Sequence, residues 1–154
     1  MLAVTFGAAA QERSIDFEEA PTWQEIVKIA READRLIFVD CYTDWCGPCR
    51  RVVDEVFTVN EVADFFNDNF VNAKFEMEKN TDGPSLARKY GVTAFPTFLF
   101  INPHTEQAEY VKVGVDDHYQ WLIDAGKEAL SQDTDEPGMA SEDEIVGGTE
   151  LAGR

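Results

Sequence analysis

The feature that most constrains this chain is a pair of cysteines placed directly after a strongly apolar segment. The segment RLIFVDCY, residues 35–42, is a nearly continuous run of strand-forming residues, as in a central parallel strand covered on both faces. Cys46 and Cys49 follow at C-x-x-C spacing, and residues 47–57 open as a helix with Pro48 in the first turn. The pattern predicts a buried strand, a short loop and a helix whose start carries both cysteines.

Hydrophobic periodicity predicts a helix before this strand. The segment PTWQEIVKIAREADR contains Thr22 and Glu25 at the spacing of a capping box, in which each side chain satisfies a free amide. Five apolar residues recur at helical spacing and are expected to face inward: Trp23, Ile26, Val27, Ala30 and Ala33. The segment therefore predicts an amphipathic helix packed on the sheet.

The rest of the chain predicts three further helices and three further strands. The strands are FVNAKFEM, PTFLFI and QAEYVKVG, and the helices cover 59–69, Pro84 to a stop at Gly91, and a final segment capped by Asp116. The first strands alternate with helices and predict a right-handed parallel crossover, whereas the last two are joined by a short turn and pair antiparallel. The fold class is therefore α/β, with a central mixed β-sheet of four to five strands and helices on both faces.

Composition indicates one folded domain and excludes some partners. The chain has 154 residues, enough for a core without disulfides or metal, and a formal net charge of −17. This charge argues against binding to a nucleic-acid backbone or an anionic membrane surface. Residues 131–154 hold seven acids and one base without apolar periodicity, so we expect one folded domain over 11–130 and a disordered acidic tail after it.

The N-terminus, MLAVTFGAAAQE, is similar to the end of a secretory signal peptide. Residues 2–10 are apolar or small, and Ala8 to Ala10 give the A-x-A pattern that signal peptidase prefers, which makes Gln11 the expected first mature residue. No Lys or Arg precedes the run, so residues 1–10 are interpreted as the remnant of a signal peptide. The interpretation predicts a periplasmic or otherwise exported protein; the alternative is the apolar N-terminus of a cytosolic protein.

The position of the cysteine pair favours a reactive dithiol over a structural disulfide or a metal site. A single C-x-x-C lacks the second pair of ligands that a closed zinc site needs, so no metal is expected. Cys46 lies at a helix N-terminus, where free amides and the helix dipole favour the thiolate, and the thiolate is the attacking species in disulfide exchange. Cys49 lies one turn inside the helix and would resolve the mixed disulfide. A static surface disulfide is the alternative.

The residues around the pair resemble the thioredoxin family. The resemblance rests on WCGPC, on FVD six to eight residues before Cys46, and on TAFPTF further along, and it covers residues 20–130. The segment VFTVNEVADFFNDNFVNAKFEMEK is more closely similar to exported thioredoxin-like proteins related to the C-terminal domain of membrane thiol:disulfide interchange proteins, which transfer reductant. That group has an extra short helix after the active-site helix.

The resemblance implies roles for four residues in catalysis. Cys46 matches the family nucleophile and Cys49 the resolving cysteine. Asp40 matches the buried aspartate that takes a proton from the resolving thiol, and a desolvated carboxylate with a raised pKa suits that task. Lys74 matches the lysine that pairs with this aspartate; an ordinary lysine at a strand edge is the alternative.

The resemblance also implies a groove for the substrate. Pro96 matches the cis-proline that faces the dithiol, so that the backbone of Phe95 can pair with a substrate strand. The other expected substrate-binding positions are Trp45, Gly47, Pro48 and Gly114. Phe95 is bulkier than the residue that thioredoxins usually have before this proline. Cys41 stands where thioredoxins often have an aromatic residue, and strand alternation points it away from Asp40 into the core, with a regulatory third thiol as the alternative.

These observations predict a protein-disulfide reductase without a cofactor other than its own Cys46–Cys49 disulfide. The Gly-Pro pair between the cysteines resembles reducing thioredoxins, near about −270 mV, rather than oxidants near about −120 mV. The expected partners are client proteins with disulfides and a thiol protein that donates electrons, embedded in the membrane if the chain is exported. The chain is expected to be a monomer. An oxidase or isomerase, a maturation factor for metalloproteins and a non-catalytic binding module are the alternatives.

Overall fold

The computed structural model describes residues 10–20, 22–79 and 81–134. The helices are α1 (Trp23–Ala33), α2 (Gly47–Glu55), α3 (Asn60–Asn69), α4 (Gly83–Tyr90) and α5 (Gln120–Thr134). The strands are β1 (Ile37–Tyr42), β2 (Val71–Glu76), β3 (Thr97–Ile101) and β4 (Ala108–Val113). The elements follow the predicted order. The predicted signal-peptide remnant, apart from its last residue, and residues 135–154 of the predicted tail lie outside the described residues.

The four strands form one mixed sheet in the order β2-β1-β3-β4. β1 runs parallel to β2 and antiparallel to β3, and β3 runs antiparallel to β4. The parallel pair is joined through α2 and α3, and the last pair by a hairpin, as the sequence predicts. The α/β fold class with a mixed central sheet is therefore confirmed.

Helices cover both faces of the sheet because both faces of β1 and β3 are apolar. Phe38 and Phe98 belong to a core that also includes side chains from α2, α3 and α5. Val39 and Leu99 point to the other face, into a core shared with α1 and α4. Successive strand residues alternate between faces, so the continuous apolar runs fill both cores.

The start of α1 agrees with the sequence, and its end does not. The hydroxyl of Thr22 accepts a hydrogen bond from the amide of Glu25 at 3.3 Å, and the Thr22 amide donates to the Glu25 carboxylate at 3.2 Å. Ala33 is exposed, so its predicted inward position is wrong. Asp34 takes a left-handed φ of 51° and ends the helix directly after it.

The last helix also begins later than predicted. Asp116 does not cap it, because α5 begins at Gln120 and the Asp116 carboxylate instead accepts the ammonium of Lys112 at 2.6 Å. The helix continues to Thr134, four residues past the predicted end of the domain. The Asn102 side chain donates to the Asp133 carboxylate at 3.0 Å near this end.

A short N-terminal segment lies along the outer edge of β2, which the sequence did not predict. Phe17 forms a parallel bridge with Asn72, and the Glu18 amide donates to the carbonyl of Asn72 at 2.8 Å. The Ile15 amide donates to the carbonyl of Phe57 at 3.0 Å. In the described part of the chain, no helix is both long and apolar enough to cross a bilayer.

Candidate active site

The two cysteines lie where β1 ends and α2 begins. The Cys46 amide donates to the carbonyl of Thr43 at 3.2 Å, which folds the loop tightly onto the end of β1. Cys46 is the N-cap of α2, and Pro48 occupies its first turn. Cys46 and Cys49 form a disulfide and are nearly buried, with exposed fractions of 2% and 4%. The structure thus has the oxidised form of the pair.

The helix start provides a hydrogen bond to the first sulfur. The amide of Cys49 donates to Sγ of Cys46 at 3.3 Å. After reduction, the same amide and the positive end of the helix dipole would stabilise negative charge on Cys46. This arrangement favours Cys46 as the attacking thiolate.

Asp40 is a buried carboxylic acid beside the disulfide. It lies on β1 with 3% of its surface exposed, and burial raises its pKa to about 7, while the charge of Lys74 lowers it. Asp40 and Cys49 line one open pocket of about 540 Å³. A group with this pKa exchanges protons readily near neutral pH. The pocket therefore contains both a proton acceptor, Asp40, and the second cysteine.

Lys74 is the β-sheet neighbour of Asp40 but does not contact it directly. The two residues are register partners on β1 and β2, and Lys74 is exposed. Its ammonium lies over the ring of Phe17, 5.4 Å from the centroid. Among the described residues, no ion pair joins Lys74 to Asp40. The predicted pairing is therefore a charge interaction across the pocket rather than a salt bridge.

Cys41 lies on the opposite face of β1, as strand alternation predicts. It is fully buried in the core shared with α1 and α4, and it is a free thiol. Burial, and secondly the charge of Asp40, raises the pKa of the Cys41 thiol. A buried thiol with a raised pKa reacts slowly, so Cys41 acts as a small apolar side chain. Within the ranges that the structure describes, no group of three or more His, Cys, Asp or Glu residues could hold a metal ion.

Residues from three loops contact one another, and one of these loops carries Trp45 directly before Cys46. Trp45 is 65% exposed, and its ring meets that of Phe95 edge to face at 5.9 Å. The Phe95–Pro96 peptide bond is cis. The Gly114 amide donates to the carbonyl of Pro96 at 2.8 Å, and Gly114 has a φ of 76°, in the region that favours glycine. The structure thus brings four of the predicted groove residues together: Trp45, Phe95, Pro96 and Gly114.

Gly47 is open to solvent rather than required by packing. A Cβ atom at this position would meet nothing within 4 Å. Packing at the tight turn between the cysteines therefore does not by itself demand glycine. The open space above Gly47 leaves room for a docked polypeptide.

A turn after β2 supports Trp45, and the sequence did not predict it. The indole Nε1 of Trp45 donates to the Glu78 carboxylate at 3.0 Å, and the ammonium of Lys79 lies 3.1 Å from the Asp44 carboxylate. The buried carboxylate of Glu76 accepts from the amides of both Glu78 and Lys79. No local sequence pattern indicates the contacts of this turn with Trp45 and Asp44, because they join segments more than thirty residues apart.

Comparison with known proteins agrees with this geometry. The family model described as "Thioredoxin" matches residues 15–124. Thioredoxin H2 of Arabidopsis thaliana is 33% identical over 90 residues, which are 58% of this chain and 62% of that protein. Chloroplastic thioredoxin Y2 of the same plant is 36% identical over 51% of this chain and 43% of that protein. The chain thus spans less than two thirds of the length of these curated relatives.

Among solved structures, the similarity extends over nearly the full length of another protein. The solution structure of a "putative disulphide-isomerase" from Bacteroides thetaiotaomicron has a TM-score of 0.68 and 45% identity, covering 79% of this chain and 97% of that one. A thioredoxin from Thermus thermophilus has a TM-score of 0.65 at 21% identity, covering 77% and 90%, which supports the fold. The family match, the relatives and the Cys46–Cys49 disulfide support thiol–disulfide oxidoreductase chemistry. The chain belongs to the thioredoxin family.

Proposed function

We propose that the protein is a thiol–disulfide oxidoreductase that reduces disulfides in client proteins. The observation that carries the proposal is the position of Cys46, which caps α2 and accepts a hydrogen bond from the Cys49 amide. These groups stabilise the thiolate that disulfide exchange requires.

The reaction begins with the reduced pair. The Cys46 thiolate attacks one sulfur of the client disulfide, a bond forms between that sulfur and Cys46, and the second client sulfur leaves as a thiolate. Trp45 precedes Cys46 directly and its ring meets that of Phe95. We assign Trp45, Phe95 and Gly114 to the groove that holds the client strand.

The second step releases the client. Cys49 attacks Sγ of Cys46, the Cys46–Cys49 disulfide forms, and the remaining client sulfur leaves as a thiolate. The proton of the Cys49 thiol passes to the ionised carboxylate of Asp40, which returns it to water through the shared pocket. Two electrons move from the cysteine pair to the client, whose two thiolates take up protons from solvent.

The reducing direction is supported by the residues between the cysteines. Gly47 and Pro48 resemble the pair in reducing thioredoxins, near about −270 mV, and not that in strong oxidants, near about −120 mV. A donor thiol protein must then return two electrons to the Cys46–Cys49 disulfide. On the basis of the signal-like N-terminal segment, we propose that the protein acts outside the cytoplasm. Its electron donor would then lie in the membrane.

Isomerisation of client disulfides is the second candidate. It is favoured by the 45% identity to the Bacteroides thetaiotaomicron protein, which carries the description "putative disulphide-isomerase". The two activities need different cysteines, because shuffling requires an attacking thiolate, whereas net reduction also requires the resolving thiol. Cys49→Ala therefore retains shuffling of a scrambled substrate if the protein is an isomerase, and loses turnover if it is a reductase.

Two measurements test the proposal. The first is the equilibrium potential of the Cys46/Cys49 couple against glutathione or dithiothreitol; a value above about −150 mV would contradict a reductase. The second is capture of clients with Cys49→Ser, which leaves the mixed disulfide unresolved. Cys46→Ser is the matched control because it cannot form that bond. Equal capture by both variants would contradict exchange through Cys46.

A further inference from the structure

Phe17 is a fixed aromatic ring at the edge of the sheet. Its backbone is bridged to Asn72, and its ring packs against Phe57 at 5.4 Å and Phe38 at 6.4 Å between centroids. The ring is half-buried, so one part faces the core and another part stays open to the surface. The position of the ring is thus set by the core and by the backbone, independently of Lys74.

The ammonium of Lys74 lies over this ring. The distance of 5.4 Å from Nζ to the ring centroid is within the range of a cation–π contact. The ring binds the ammonium through its quadrupole and does not cancel the charge, as a carboxylate partner would. Among the described residues, Lys74 has no ion pair. Its full positive charge is therefore held at one place on the surface.

That place is next to Asp40. Lys74 is the register partner of Asp40 on the neighbouring strand, and both residues line the pocket that contains Cys49. The side chains of register partners in a parallel pair lie on the same face of the sheet. A lysine free to move in solvent would spend less time near the pocket and would act on Asp40 more weakly.

We propose that Phe17 is a positioning residue, which holds the ammonium of Lys74 at the mouth of the pocket in front of Asp40. The consequence for catalysis rests on the proposed function, in which Asp40 accepts the proton of Cys49. The geometry itself does not depend on that function. The positive charge of Lys74, held in place by the Phe17 ring, lowers the pKa of Asp40 against the larger effect of burial. It thereby keeps a fraction of the Asp40 carboxylate ionised near neutral pH.

Other charged and titratable groups also face Asp40. They are Tyr42 and Asp44 from β1 and its following loop, and Cys49, Arg50 and Asp54 from α2. Asp44 is paired with Lys79, and Arg50 donates to the carbonyl of Asp44 at 2.6 Å. Among the described residues, Lys74 is the charged group that lies over the Phe17 ring, so a change at this ring reaches Asp40 through Lys74.

The test measures the pKa of Asp40 directly, from the pH dependence of its carboxyl ¹³C resonance in the oxidised full-length chain. Lys74→Met removes the charge and raises the pKa of Asp40. Phe17→Leu keeps an apolar side chain but loses the aromatic face, and it raises the pKa of Asp40 by a smaller amount, roughly 0.3. Phe17→Tyr retains the ring and leaves the pKa near that of the wild type.

Two controls separate positioning from a loss of packing. Phe65→Leu removes another half-buried ring, which has no contact with Lys74, and leaves the pKa of Asp40 unchanged. In a Lys74→Met background, Phe17→Leu has no further effect, because the charge through which it acts is absent.

Three results would overturn the proposal: an unchanged or lower pKa of Asp40 in Phe17→Leu, an equal rise in Phe65→Leu, or a rise that persists without Lys74. The rate of mixed-disulfide resolution is measured in the same variants. We expect its pH midpoint to move upward with the pKa of Asp40. A shifted carbon titration with an unmoved rate profile supports the role of Phe17 and contradicts the proposed role of Asp40.

Discussion

Two carboxylates at opposite ends of the sheet are built in contrasting ways. Asp40 lies near the end of β1 beside the disulfide, is buried, and has no ion pair among the described residues. Glu106 lies before β4 at the far end and collects partners. Its carboxylate accepts from the indole of Trp23 at 2.9 Å and from Lys89 at 3.2 Å, with Arg31 at 3.8 Å.

The two environments move the pKa values in opposite directions. The hydrogen bond from Trp23, then the hydrogen bond and charge of Lys89 and the charge of Arg31, lower the pKa of Glu106 against the opposing effect of burial. Burial raises the pKa of Asp40 to about 7. The contacts of Glu106 fasten α1 and α4 to the β3–β4 turn and serve the fold. Asp40 has no such structural contacts among the described residues, and its pKa is close to neutral. A perturbed pKa of this kind is expected of a group that transfers protons.

The largest expected effect is on stability at Asp40. Because its folded pKa is raised above the unfolded value, the folded chain binds the proton more tightly, and stability is lost as pH rises from about 4 to about 7. A rise from 3.8 to about 7 corresponds to at most about 4 kcal/mol. Asp40→Asn removes this loss. We expect the variant to exceed the wild type in free energy of unfolding at pH 8 by a few kcal/mol, by urea titration.

The same variant gives its own control at low pH. At pH 4, where Asp40 is protonated in the folded state, the gap between variant and wild type becomes small. A gap of equal size at pH 4 and pH 8 would contradict burial of a titrating carboxyl as the cause.

The second effect is on catalysis. Asp40→Asn preserves shape but cannot accept a proton, so we expect resolution of the mixed disulfide to slow about 100-fold at pH 7. The measurement is stopped-flow release of a fluorescent client from a preformed mixed disulfide at Cys46. Alkylation of reduced Cys46 by iodoacetamide, which needs only the first thiolate, is expected to change much less. If both rates fall equally, Asp40 acts on the nucleophile rather than on Cys49.

The third effect concerns tight packing near the active-site end. A Cβ atom on Gly83 would lie 1.9 Å from the carbonyl oxygen of Glu76, at the base of the turn that supports Trp45. We expect Gly83→Ala to reduce the free energy of unfolding by about 2 kcal/mol, because the backbone must shift. Gly47→Ala is the matched control, since its Cβ would meet nothing within 4 Å. Equal losses in the two variants would contradict the steric cause.

Much of this contrast was visible in the sequence at the active-site end. The resemblance to thioredoxins implied a buried carboxyl at Asp40, and the C-x-x-C spacing after an apolar strand placed Cys46 at a helix start. The alternation of the strand also placed Cys41 in the core. These predictions depend on neighbours within about one turn or one strand of the residue.

The contacts between distant segments were not visible. Phe17 meets Lys74, and Trp23 meets Glu106, across separations that no periodicity encodes. The turn that carries Glu78 to Trp45 likewise depends on how β2 ends against α4. The predicted cap at Asp116 was wrong for a local reason: Lys112, four residues earlier, binds that carboxylate, and α5 begins only at Gln120.

The smallest expected effect is at Glu106. Because its folded pKa is lowered, its charge stabilises the fold above the unfolded pKa, and this contribution is lost as pH falls through the folded value. Glu106→Gln keeps an oxygen for the Trp23 indole but loses the attraction of Lys89 and Arg31. Those pairs are partly exposed and screened by solvent, so we expect a loss below about 1 kcal/mol at pH 7. Thermal unfolding at pH 7 and pH 3 checks this prediction. The variant is expected to be less stable than the wild type at pH 7, opposite in sign to Asp40→Asn, and this deficit in stability should shrink at pH 3. A deficit that grows on acidification would contradict the contrast between the two carboxylates.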